Sequence, residues 1–254
     1  MNLQNEGKKE MTYRVYLTTK VNLAKLAKGS GIIVIEPDDY TIAQIKVIKA
    51  KGYKVLAYLS VGSIEKERTW WKLYSKYKLK QLPDWPKEYY IDVRKTEWRN
   101  FIASRAQMLK AKGYDGWWLD NIDVYEEYKN KAMFTAIASV FLKLKALKGY
   151  VMINGGSAWV EEAVNRGEKL SKYLSGYTQE EVFSRITDYS GKGKFGKQKA
   201  SDSTYYQKMI KKAIKEKVGG FLLEYTRDTA LKTNIKDWCK KYGASCCISE
   251  DVNL

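Results

Sequence analysis

Short apolar runs separated by longer segments of helical periodicity set the rhythm of this chain. Eight runs read as strands: Tyr13–Thr18, Gly31–Glu36, Lys54–Ser60, Glu88–Val93, Gly116–Asp120, Tyr150–Asn154, Tyr173–Gln179 and Gly219–Glu224. Between them apolar residues recur at three- and four-residue spacing. Trp98, Phe101, Ile102 and Leu109 form one such stripe and Phe134, Ile137, Phe141 and Leu144 another, as half-buried helices require. One device precedes four of the strands: a lysine-rich helix end, a glycine placed to terminate it, then the apolar run. The glycines are Gly52, Gly113, Gly149 and Gly219. Their separations correspond to two, one and two units of the ~30 residues that a βα unit needs.

Strands that alternate with helices form a parallel sheet, and a closed barrel leaves that sheet no edge. The expected fold is a single (β/α)8 TIM barrel over residues 12–254, with Lys240–Leu254 adding an extra C-terminal strand or tail. Residues 1–11 read as a flexible N-terminal extension. The 254 residues suit one barrel, and 44% hydrophobic and 13% aromatic content supports a large core. Only three prolines occur and no linker divides the chain, so one domain is expected.

Histidine is absent. That excludes Ser-His-Asp and Cys-His catalysis and imidazole zinc sites, and leaves acid–base chemistry to carboxylates, tyrosine or lysine. Cys239, Cys246 and Cys247 are odd in number and lack CxxC spacing, so reduced thiols are expected. No apolar run is long enough for a membrane span. Met1–Glu10 lacks the apolar centre of a secretory signal, which implies a cytoplasmic protein or a leader already removed. The net charge of +17 raises the question of a polyanion partner such as nucleic acid. The lysines are scattered over nearly every helix, as on a solvated surface, so no nucleic acid is expected, and a monomer is favoured.

Catalytic residues of such barrels lie at the carboxyl ends of the strands. Gly113-Tyr-Asp-Gly-Trp-Trp-Leu-Asp-Asn-Ile-Asp123 is the most informative segment: a buried strand breaking into Asp120, Asn121 and Asp123. Polar groups at the end of a buried strand are costly unless paired or used. Other strand ends supply Tyr58, Ser60 and Ser63; Asn154 before two glycines; Tyr177, Gln179, Glu180 and Glu181; and Glu224 with Tyr225. Asp120, Glu180 and Glu224 are expected at one mouth, where two carboxylates can divide the labour of acid and nucleophile or base. The alternative for each is a structural carboxylate held by backbone or arginine. Asp115 reads as a turn residue and Trp98 as core. Trp85, between Pro83 and Pro86, is the best candidate for a sugar-stacking platform. The run from Gly191 to Gln198 approaches a phosphate loop but has Gln198 where a magnesium-binding hydroxyl should stand, so a mobile basic loop is expected there.

At these residues the chain resembles glycoside hydrolase family 114, the endo-α-1,4-polygalactosaminidase-like barrels. Tyr58-Leu-Ser-Val-Gly62 followed by Arg68 and Trp70, the segment Tyr114–Asp123, and Glu180-Glu-Val-Phe183 match its motifs, and with Asn154 and Glu224-Tyr225 the likeness runs from about Tyr13 to Tyr242. The resemblance implies internal cleavage of an amino-sugar polysaccharide by two carboxylates, carried over to Asp120 and Glu180, with no cofactor and no metal. Tyr58, Asp123, Asn154, Tyr177, Glu224, Tyr225 and Trp85 would then contact substrate. Ser63 stands where that family carries glutamate, and Glu65 is the nearest residue to take its place. The alternatives are a catalytically silent carbohydrate-binding barrel and, behind it, a polyanion-binding protein.

Overall fold

The computed structural model describes residues 11–254, so the expectation for residues 1–11 falls almost wholly outside the described residues. Along the chain come β1 (Thr12–Tyr16), β2 (Gly31–Ile35), α1 (Ile42–Ala50) and β3 (Tyr53–Ser60). An insertion then holds β4 (Ser63–Glu65), α2 (Trp71–Tyr74), β5 (Lys78–Leu82) and β6 (Trp85–Ile91). Next are α3 (Thr96–Lys112), β7 (Gly116–Asp120), α4 (Val124–Glu127), α5 (Lys131–Ala146), β8 (Tyr150–Asn154), α6 (Ser157–Asn165), α7 (Leu170–Tyr173) and β9 (Gly176–Glu180). A second insertion, β10 (Ser184–Asp188) and β11 (Lys194–Lys197), precedes α8 (Ala200–Lys215), β12 (Gly219–Tyr225), α9 (Thr229–Tyr242) and β13 (Ser245–Ser249).

Eight strands form one parallel sheet in the order β1-β2-β3-β7-β8-β9-β12-β13, and β13 packs back against β1 in a nearly closed (β/α)8 barrel. Seven of the eight expected strands belong to it. The fourth does not: the segment taken as Glu88–Val93 pairs antiparallel with β4 and β5 in a separate three-stranded sheet. The barrel is completed by the C-terminal strand, which pairs with β12 through Phe221↔Ser245 to Tyr225↔Ser249. Asp120 therefore ends the fourth barrel strand and Glu180 the sixth. The glycine-rich basic run also differs from expectation. Lys194–Lys197 pairs with Ser184–Asp188 as an antiparallel hairpin, and the Arg227 guanidinium lies 4.7 Å over the Phe195 ring.

Two apolar layers follow from strand alternation. Val15, Ile32, Val34, Leu56, Trp118, Met152, Phe221 and Leu223 fill the barrel interior, while Ile33, Val55, Trp117, Leu119, Val151 and Leu222 pack under the helices. Polar groups in this interior pair with one another: Trp118 Nε1 donates to Tyr13 Oη at 3.0 Å and to Thr178 Oγ1 at 3.3 Å. This layer is the floor of the mouth.

The helix-ending glycines divide into two kinds. Gly52 (φ +99°) and Gly113 (φ +111°) take the left-handed turn that only glycine adopts cheaply. Before β8 and β12 that conformation is taken by Lys148 and Lys217 instead. Gly149 and Gly219 serve packing, since a Cβ would come within 2.3 Å of the Trp117 ring at the first and 2.9 Å of the Phe221 ring at the second. No helix among the described residues is long and apolar enough to cross a membrane.

Candidate active site

Strand alternation decides which side chains enter the mouth. On β7 the inward residue Trp118 fixes Asp120 inward, and on β9 Thr178 fixes Glu180. Asn154 follows Met152 on β8, and Tyr225 follows Leu223 on β12. The same parity turns Tyr177 and Glu224 outward, so the barrel does not bring these two to the mouth. Tyr177 is fully buried in the outer layer, its hydroxyl donating to Gln179 Oε1 at 2.7 Å. Glu224 is also fully buried. Its carboxylate accepts from the backbone of Phe183 at 3.0 Å, from the backbone of Ser184 at 2.9 Å and from Ser184 Oγ. It fastens the chain leaving β9 and is a structural carboxylate.

Asp120 and Glu180 do converge. Asn154 Nδ2 donates to Asp120 Oδ1 at 3.0 Å and to Glu180 Oε1 at 2.5 Å, so the two oxygens lie within 5.5 Å, the sum of those lengths. An amide nitrogen carries two hydrogens, one for each acid. Tyr225 Oη donates to Glu180 Oε2 at 2.8 Å. Asp120 also accepts from the Tyr58 hydroxyl and from the backbone of Asn121. Both acids stay half-buried and open to the mouth. Burial raises the pKa of each; in Glu180 the neighbouring Asp120 charge adds to the effect and brings it to about 7. No Lys or Arg ion-pairs with either acid among the described residues.

The residue after each acid is left-handed: Asn121 at φ +60° and Glu181 at φ +57°. Such conformations are uncommon outside glycine and tend to gather at functional sites. Gly62 makes the first turn possible, because a Cβ there would lie 1.8 Å from the Asn121 carbonyl oxygen.

Other expected contacts are distributed around this pair. Asp123 is half-buried and accepts from the Gly156 backbone at 2.9 Å; burial lifts it to about 6, and it ties the β7 and β8 loops together. Trp85 is 53% exposed on the first insertion and packs edge-on against Tyr189 of the second, ring centroids 6.0 Å apart. Burial raises the pKa of the Tyr189 hydroxyl to about 12, and the charges of Glu181 and Glu180 add to the effect. Tyr189 carried no signal in the sequence. Trp98 is core, donating from Nε1 to the Val61 carbonyl at 2.9 Å, and Asp115 accepts from the Val55 backbone at 2.9 Å at the far end of the barrel.

Comparison with solved structures shows the same fold. The glycoside hydrolase domain of PelA from Pseudomonas aeruginosa superposes with a TM-score of 0.77 at 18% identity, over 93% of each chain. Ega3 of Aspergillus fumigatus, in complex with galactosamine, gives 0.74 at 16% identity over 100% of this chain and 96% of that one. An uncharacterised protein of Deinococcus radiodurans is 27% identical over 110 residues, 39% of this chain and 35% of that protein. One from Thermotoga maritima is 24% identical over 138 residues, 52% of this chain and 41% of that protein. These matches span less than half the length of either relative. The family model of glycoside hydrolases GH114 matches residues 3–250, nearly the whole chain, so this protein belongs to glycoside-hydrolase family GH114.

Proposed function

We propose that this glycoside hydrolase cleaves an α-1,4-galactosaminan-like amino-sugar polysaccharide internally, by double displacement at Asp120 and Glu180. The observation that carries the reading is the single Asn154 nitrogen holding one oxygen of each carboxylate within 5.5 Å of the other. Retaining glycosidases space their acids by ~5–5.5 Å, whereas inverting ones need ~6.5–9.5 Å to admit a water.

The environments divide the roles. Asp120 has three donors that favour its ionised form, from Asn154, Tyr58 and the Asn121 backbone. Glu180, pushed to about 7, keeps a proton to give. Asp120 Oδ attacks the anomeric carbon as its bond to the glycosidic oxygen breaks, and Glu180 protonates that oxygen. Glu180 then takes a proton from water, whose oxygen attacks the same carbon and releases Asp120. Asn154, Tyr58 and Tyr225 position the acids, and the exposed Trp85 ring offers an aromatic face on which a sugar can stack. Galactosamine in the Ega3 complex supports the amino-sugar class. The mouth gathers Asp120, Asp123 and Glu180, a local acidic cluster that offsets the net charge of +17 toward a cationic polymer.

Two measurements test this. Proton NMR of the first product from an α-linked galactosaminan should show the α-anomer; initial β-anomer overturns double displacement. The proton on Glu180 is present below about 7 and lost above it, so kcat/KM should fall as pH rises through about 7. Glu180→Gln should lower kcat by ~10²–10⁴-fold and remove that limb. A limb that survives the substitution assigns the proton elsewhere.

A further inference from the structure

The expected stand-in for the acid missing at position 63 is not Glu65. That carboxylate is held by Arg68 at 2.9 Å, and Arg68 also pairs with Glu36 at 3.0 Å. The carboxylate beside Ser63 comes instead from β6. Ser63 Oγ donates to Glu88 Oε1, and Asn121 Nδ2 donates to the same oxygen at 3.1 Å. Asn121 Nδ2 also reaches Ser60 Oγ at 3.1 Å, and Ser60 Oγ lies 2.6 Å from Ser63 Oγ. Ser60 is the strand partner of Asp120. The cluster thus flanks Asp120 on the side away from Asn154 and Glu180.

Three features make Glu88 a ligand group. It is half-buried and retains solvent access, and both donors converge on Oε1, leaving Oε2 clear of them. None of the ion pairs among the described residues includes it, in a protein with 46 Lys and Arg. Burial lifts its pKa to about 7, with the Glu65 and Asp120 charges adding to it and the Ser63 hydrogen bond and the nearby Arg68 charge working against it. Arg68, the cation nearby, is engaged by Glu36 and Glu65, so no protein cation pairs directly with this half-buried acid among the described residues, and an ionised carboxylate so placed is costly unless a ligand supplies the charge.

We propose that Glu88 is the specificity-determining carboxylate of this site, receiving the protonated amine of the sugar bound at Asp120 and so selecting free over N-acetylated amino sugar. The amine of a 2-amino sugar is carried on the carbon next to the anomeric one, so an acid flanking Asp120 is placed to meet it. An N-acetyl group brings no charge and more bulk to the same place. The inference rests on the proposed reaction at Asp120 and Glu180, and its test separates the two.

The probes are α-1,4-linked galactosamine oligomers, fully deacetylated or fully N-acetylated. Glu88→Gln keeps an acceptor for Ser63 and Asn121, so the fold is retained, which melting confirms. It should lower kcat/KM on the free-amine oligomer by about 10- to 100-fold, the loss of one charge-assisted contact, and leave the N-acetylated oligomer unchanged or improved. Glu88→Asp, which keeps the charge, should lose less. Calorimetry on Asp120→Asn with and without Glu88→Gln reads the same selectivity as binding. If the wild type hydrolyses neither oligomer, the proposed reaction fails, and the binding ratio still tests Glu88. Equal losses on both oligomers, or none on either, overturn the proposal.

Discussion

Asp120→Asn should abolish turnover while leaving the barrel standing, with kcat falling on the order of 10⁴-fold or more, as when a covalent nucleophile is removed. Asn is isosteric and can still face Asn154 and Tyr58, but it cannot form the glycosyl ester. The same change removes a charge that burial disfavours and that raises the pKa of Glu180. The variant should therefore melt at or above the wild-type temperature, since ~1 kcal/mol shifts a chain of this size by about 2–4 °C. Glu180, freed from the neighbouring charge, should titrate below its wild-type position. Single-turnover assays and calorimetric melting read both effects. More than a few per cent of wild-type turnover, in protein free of contaminating enzyme, would remove Asp120 from the chemistry.

Glu224→Ala should have the opposite character, a large loss of stability. The fully buried carboxylate takes hydrogens from Phe183 N, Ser184 N and Ser184 Oγ. Alanine leaves these donors buried without an acceptor and opens a cavity, which together cost about 3–5 kcal/mol. A chain holding 5–15 kcal/mol in total would lose a large fraction of it. Glu224→Gln, which retains one acceptor oxygen, should lose less. Urea unfolding measures the difference. A loss below ~1 kcal/mol accompanied by dead enzyme would return Glu224 to the list of substrate contacts.

The barrel was legible because its punctuation is local: basic helix ends, glycines and apolar runs recur at βα spacing. What escaped was sheet membership. Glu88–Ile91 has the length and aromatic content of a barrel strand and is a strand, but its partners Ser63–Glu65 and Lys78–Leu82 run antiparallel to it outside the barrel. Ser245–Ser249, expected only as an extra strand or tail, takes the place left open and completes the barrel. At the site, Asp120, Asn154 and Glu180 were visible as strand-end polar residues. Period-two alternation also forbids Tyr177 from sharing a face with Glu180, and Glu224 with Tyr225, so that part was readable from register alone. Glu88 was not. Its place beside Ser63 depends on a tertiary pairing twenty-five residues away, and the chain around it holds no motif.

The two left-handed turns join separate parts of the molecule. Glycine at 121 or 181 would relax the backbone, but each native side chain has a grip that glycine lacks: Asn121 holds Glu88 of the three-stranded insertion, and Glu181 accepts from Ile186 of the hairpin. Asp120 and Glu180 are thus each leashed, one residue downstream, to a separate appendage. The appendages can diverge in length and lining while the chemistry beneath stays put, so a lineage could retool what such an enzyme eats by rewriting residues 63–91 or 184–197 alone.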